Sequence, residues 1–168
     1  IVWGIALILL DLELPIGPAV ELLPDFLGYY LLWKGCMELA SQWKIFGGLR
    51  RFAGVAGILT LALFAAELFG FGSGSAQREL LFWGLDLAVT IMGLAAARWV
   101  ARGVTAMDPA QGQKLLLIWG FLAAMQGICW LLVLIPVVGT VGSAASFVMG
   151  LCYLVPLLTW KKQGPEGN

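Results

Sequence analysis

The chain has 168 residues, of which 61% are apolar and 12% charged, where a soluble domain has roughly 45–50% and 25%. That much apolar surface cannot be hidden in one aqueous core, and at about 20 apolar residues per span the length allows six membrane spans with short connections. Net charge is zero and histidine is absent, which excludes a nucleic-acid-binding basic patch and removes the commonest metal ligand and general base.

Span one is expected from Ile1 to about Leu14. Its first apolar run, Ile1 to Leu10, is too short to span alone, so either the start is trimmed or the helix runs into the segment that follows. No basic n-region or small-residue cleavage site marks a signal peptide. The stretch Asp11 to Asp25 holds three prolines and a glycine, which rule out a continuous helix. It is too apolar for an ordinary loop and reads as a folded cap at the membrane interface. Asp25 then opens span two, about Asp25 to Trp43, where a carboxylate suits the free N–H groups and the positive dipole end.

Lys44 to Arg51 reads as a basic connection, and Phe52 to Phe71 as span three. Gly72 to Ala76 is a flexible turn. Span four is Glu79 to Val100, with Arg98 and Arg102 at its end and Gly103 as its C-terminal cap. Asp108-Pro109 restarts a helix, with Asp as the cap and Pro in the first turn. Span five covers Lys114 to Ile135, Pro136 to Thr140 form a turn, and span six ends near Trp160.

Eight of the ten Lys and Arg residues fall on one side of this arrangement: Lys44, Arg50, Arg51, Arg98, Arg102, Lys114, Lys161 and Lys162. Basic residues near span ends are retained in the cytoplasm. The expected fold is therefore all-α: a polytopic six-transmembrane-helix bundle of the inner (plasma) membrane with both termini cytoplasmic. Residues 1–162 form one transmembrane domain and 163–168 a polar tail.

Small residues four apart let helix backbones approach closely in lipid. Such pairs are Ala53 with Gly57, Gly93 with Ala97, Gly120 with Ala124, and the series Gly142, Ser146 and Gly150. They read as seams within one bundle or, for span six, as a homodimer contact. The eight tryptophans mostly fall toward span ends, as interfacial anchors do. Cys36, Cys129 and Cys152 show no CxxC spacing and read as small buried apolar residues.

Seven of the ten acidic residues gather on the opposite, outer side: Asp11, Glu13, Glu21, Asp25, Glu67, Glu79 and Asp86. Glu79 reads as a partner of Arg78 or a helix cap. By helical rise, Glu67 lies about 6 Å and Asp86 about 10–12 Å inside their span ends. A charge at mid-membrane costs roughly 2.5–3.5 kcal/mol. Gly57, Thr60, Phe64 and Glu67 share one helix face, and Glu79, Trp83, Asp86, Thr90 and Gly93 share another. Both stripes are small and polar and are expected to face the bundle interior. Gln126, Ser143, Ser146 and Tyr153 could complete a polar path. Equally, either carboxylate could be protonated and serve packing alone. Lys34 could pair with one of them, although Glu38, four residues on, is its nearer candidate.

Two functional classes follow. The first is transport or solute binding in an outward-facing acidic pocket among spans one to four, capped by Leu12 to Pro24. Glu67 and Asp86 would bind a proton, a cation or a cationic group, and Asp25 and Asp11 would line the entrance. The second is a scaffold subunit that packs against other membrane proteins through small-residue seams. An intramembrane enzyme ranks behind both, since no nucleophile–base pair or metal set is visible. No cofactor is implied.

The segment Leu23-Pro-Asp-Phe-Leu-Gly-Tyr-Tyr-Leu-Leu-Trp-Lys-Gly35, with Asp11 upstream, resembles one found in small bacterial integral membrane proteins of unassigned function. That resemblance implies an inner-membrane protein and no known activity. The six-span, both-ends-inside plan is similar in architecture to the substrate-binding subunits of energy-coupling-factor vitamin transporters, which bind ligands near the outer face under a loop cap. Span one carries no Ala-x-x-x-Ala repeat of the kind those subunits use for docking.

Overall fold

The computed structural model describes the backbone of residues 1–9, 13–14, 20–21, 25–69, 76–131 and 147–159, and their side chains except at 13, 14, 20, 21, 67, 76–80, 82 and 129. The elements in order are α1 (Val2–Leu9), β1 (Glu13–Leu14), β2 (Val20–Glu21), α2 (Asp25–Ala40), α3 (Lys44–Leu68), α4 (Ala76–Met107) and α5 (Pro109–Leu131). A further helix, α6, covers Phe147–Thr159. Among the described residues, the regular structure is helical apart from one two-residue ladder. Among the described residues, two helices are long and apolar enough to cross a membrane, Lys44–Ala66 and Trp83–Met107. Only 22% and 28% of their most apolar windows are buried.

The chain divides into two compact units, residues 1 and 3–96, and residues 2 and 97–168. In the first unit, α1 and α2 meet backbone to backbone. A Cβ on Gly4 would lie 2.7 Å from the Gly28 carbonyl oxygen, and one on Gly28 would lie 2.7 Å from Ile8 Cγ1. Gly35 abuts Ile1 in the same way. These glycines are needed because a β-carbon would hold the helices apart, and close approach is what associates helices in lipid. Span one is shorter than expected: the described helix stops at Leu9. Glu13–Leu14 pairs antiparallel with Val20–Glu21, in the register Glu13↔Glu21 and Leu14↔Val20. The prolines that forbid a helix here permit a hairpin. The rest of the cap segment, 10–12, 15–19 and 22–24, lies outside the described residues.

The Lys44 to Arg51 segment is not a connection but the opening turns of α3. Phe46, Leu49, Ala53, Ala56 and Thr60 follow one another at steps of three and four and are all buried. This stripe continues through the basic residues, whose charged side chains point away from it. It packs with α2, on which Tyr29, Leu32 and Cys36 are fully buried. The connection itself is short. Gln42 and Trp43 donate their N–H groups to the Leu39 carbonyl at 3.1 and 2.9 Å.

In the second unit α4 runs past Val100 to Met107, so Gly103 does not cap it. Gly103 is buried inside the helix, between Val100 and Ala101 on one side and Val104 on the other, all buried. Arg98 and Arg102 are exposed on a continuing helix. The restart at Asp108-Pro109 is as expected: Asp108 Oδ1 accepts from the N–H groups of Ala110 and Gln111 at 3.1 and 3.2 Å. Gly112 abuts the Thr105 backbone, which makes the reversal into α5 tight.

The seams divide. Ala53 is buried and Gly57 lies 3.3 Å, by its would-be Cβ, from Tyr29 Cβ. Gly93 and Ala97 are buried. Gly120 and Ala124, by contrast, are exposed, and a Cβ on Gly120 would meet nothing within 4 Å. On α6 Gly150 is buried, whereas Gly142, Ser146 and the Pro136 to Thr140 turn lie outside the described residues. Cys36 is buried as expected, but Cys152 is exposed; Cys129 lies outside the described side chains.

Candidate functional site

Three close approaches set the vertical register of the first unit. Gly28 and Gly93 both lie against Ile8, and Gly57 lies against Tyr29. With 1.5 Å of rise per residue, Asp25 sits about 4.5 Å, Asp86 about 10.5 Å and Glu67 about 13.5 Å toward the cap from the Ile8 level. The two outer carboxylate positions, Asp86 and Glu67, are therefore matched in height to within about 3 Å. At the same end, the Phe26 and Phe64 rings lie 5.6 Å apart, which joins the start of α2 to the last turns of α3.

The side chains depart from the expected interior stripe on α4. Gly93 is buried and Thr90 half-buried, but Asp86 and Trp83 are exposed. The helix face turns outward toward its N-terminal end, so the stripe is interior only in its lower half. Thr90 Oγ1 donates to the Asp86 backbone carbonyl at 3.1 Å, and its hydroxyl is thereby directed along its own helix. Asp25 is half-buried at the start of α2. The Glu67 side chain and all of Asp11 lie outside the described residues. Gln126 is half-buried on α5, in the other unit. Tyr153, in the other unit, is buried, and its hydroxyl donates to the Ala97 carbonyl at 2.6 Å; Ser143 and Ser146 lie outside the described residues. Lys34 and Glu38 are both exposed on α2.

The residue that sequence reasoning missed is Tyr29. It is fully buried, and its hydroxyl finds no hydrogen-bond partner among the described residues. Leaving a buried polar group unsatisfied costs about 1–3 kcal/mol. Nearby on α3, buried Thr60 satisfies its own hydroxyl by donating to the Ala56 carbonyl at 2.9 Å. The signal was present: Tyr29 follows Asp25 by four residues, one turn below it on the same face. A phenolic oxygen and carboxylates are hard oxygen donors, suited to a monovalent cation, a proton or an ammonium-type group. Among the described residues, no group of three or more His, Cys, Asp or Glu could hold a metal ion.

The basic end is ordered by aromatic rings. The Arg50 guanidinium lies 5.5 Å from the centroid of the Trp33 ring, which stacks on Tyr30 at 6.3 Å and 26°. In the other unit Arg98 lies 4.8 Å from the Trp119 centroid. Such pairs hold a cation against the face of a ring and keep Arg side chains at a fixed depth. Comparison of the chain with protein-family models, characterised proteins and solved structures finds no match.

Proposed function

We propose that this chain is a multi-pass protein of the inner (plasma) membrane, with both termini cytoplasmic, that binds or carries a small cationic solute or a proton at its acidic outer end. Membrane embedding is supported by the exposure of the long apolar helices: Val55 is 69% and Ile58 73% exposed. The core helix of a soluble protein would be mostly buried. Lys44, Arg50 and Arg51 after α2, and Arg98, Arg102 and Lys114 around the α4–α5 junction, support a cytoplasmic position for those ends. The single observation that carries the solute reading is the buried Tyr29 hydroxyl, which has no partner among the described residues, one turn beneath Asp25. Asp86 and Glu67 stand further out at matched height.

Trp83, three residues from Asp86, is a built-in reporter. Purified full-length chain in mild detergent is titrated with sodium, ammonium and guanidinium, and with pH, while tryptophan emission is read. A saturable response that is lost in both Asp86→Asn and Glu67→Gln is expected. No saturable response, or one unchanged in both variants, overturns the reading.

The exposed Gly120–Ala124 seam favours a second reading, in which the protein is a scaffold that receives another membrane helix on α5. Here carboxylate substitutions leave function intact. Ala124→Leu should lower the mass of the assembly in mild detergent; an unchanged mass removes this reading.

A further inference from the structure

A groove of about 950 Å³ runs along the outside of α2 and α3, a volume within the range of small-molecule sites. Its lining runs from the arginines at the start of α3 to Phe26 at the start of α2. Its floor is formed where α3 lacks side chains. Gly47 has open space where a Cβ would be, and Gly54 would meet only the edge of Trp33, at 3.5 Å. Its walls include Leu27, Tyr30, Ile58 and Leu61, and Arg50 and Arg51 stand at one end. Among the described residues, no acidic residue lines it. The apolar walls are open to the surroundings: Leu61 is 47% and Tyr30 54% exposed.

From these features we infer that the groove is a binding site for one anionic phospholipid of the cytoplasmic leaflet. The inference rests on the membrane reading above, not on the solute reading. Two arginines in a lining with no acidic residue among the described residues fit a phosphate-bearing headgroup, and guanidinium is suited to phosphate by its fork of donors. Arg50 is held in place by the Trp33 ring, so less freedom is lost when it binds. From Arg51 to Leu61 the helix rises about 15 Å, which is half of a hydrocarbon core of about 30 Å. A headgroup at the arginines therefore sets one acyl chain along the groove as far as the bilayer midplane. The basic end lies on the side that the charge distribution assigns to the cytoplasm, where anionic lipids attract basic residues near the membrane surface.

The test is native mass spectrometry of the full-length chain released from mild detergent, with equal amounts of phosphatidylglycerol and phosphatidylcholine added. One phosphatidylglycerol per chain should be retained, in preference to phosphatidylcholine by about thirtyfold, the size expected for two basic side chains at an anionic surface. The double variant Arg50→Gln with Arg51→Gln should lose that preference. Gly54→Leu, which keeps both charges and fills the floor, should lower retention of either lipid. Arg102→Gln, on α4 and not among the lining residues, should change nothing. Equal retention of the two lipids by the unaltered protein overturns the proposal without recourse to any variant. So does a chain that releases both lipids and appears as a dimer, because the groove is then occupied by a second copy. Resistance of the chain to alkaline carbonate extraction from membranes is measured in parallel. A chain that stays in the membrane and shows no lipid preference loses the lipid site alone, whereas one that is extracted loses the membrane reading as well.

Discussion

Replacing Tyr29 with phenylalanine removes one oxygen and leaves its Cβ against Gly57. The side chain is fully buried and its hydroxyl lacks a partner among the described residues. The cost of that unsatisfied group, about 1–3 kcal/mol, should disappear in the variant. Without added solute Tyr29→Phe is therefore expected to be more stable than the parent by at least about 1 kcal/mol. For a chain of this length that raises the unfolding midpoint by roughly 2–4 °C per kcal/mol. The second half of the measurement is the response to cation. A ligand at 100 times its Kd stabilises the parent by about 2.7 kcal/mol, and the variant should recover only part of this because one donor oxygen is gone. The assay is thermal unfolding of the full-length chain in mild detergent, with and without sodium, ammonium or guanidinium. A variant less stable than the parent would show that the hydroxyl is satisfied in the folded protein. A variant with the parent's full cation shift would remove Tyr29 from the site.

Three further substitutions test the packing. Tyr153→Phe should act in the opposite direction to Tyr29→Phe and cost about 1 kcal/mol, because its buried hydroxyl donates to the Ala97 carbonyl at 2.6 Å; equal signs for the two tyrosines in thermal unfolding would contradict both assignments. Gly28→Ala places a methyl 2.7 Å from Ile8 Cγ1 and should cost about 1–3 kcal/mol. Gly120→Ala meets nothing within 4 Å and should be neutral or gain up to about 1 kcal/mol, so similar losses at both glycines would refute the seam assignment. Asp108→Ala should lower stability by about 1 kcal/mol, with Asp108→Asn restoring most of it, since either side-chain oxygen can accept from Ala110 and Gln111.

The composition and apolar periodicity of the sequence are enough to establish a helical chain, because each helix satisfies its own backbone and side-chain spacing reports its faces directly. The Asp108-Pro109 restart was legible for the same reason: capping is a contact between residues two and three apart. The non-helical cap was legible from its prolines, though its pairing of Glu13–Leu14 with Val20–Glu21 was not. Helix ends were misjudged wherever charge was taken as a boundary. Lys44 to Arg51 and Arg98 to Arg102 are helical because the buried stripes of Phe46 and Leu49, and of Val100 and Val104, continue through them.

What the sequence alone determined is the order of basic and acidic residues along the chain and the similar height of the Glu67 and Asp86 positions on α3 and α4. The second follows from position along helices. Only the tertiary structure decided which of these faces turn inward. It exposes Asp86 and Gly120, buries Tyr29 with no hydroxyl partner among the described residues, and opens the groove beside Arg50 and Arg51. The physical reason is that periodicity marks that a helix has distinct faces but not which neighbour each one meets. In this chain, that is settled by glycine contacts between helices distant in sequence, Gly4 with Gly28, Gly28 and Gly93 with Ile8, and Gly57 with Tyr29.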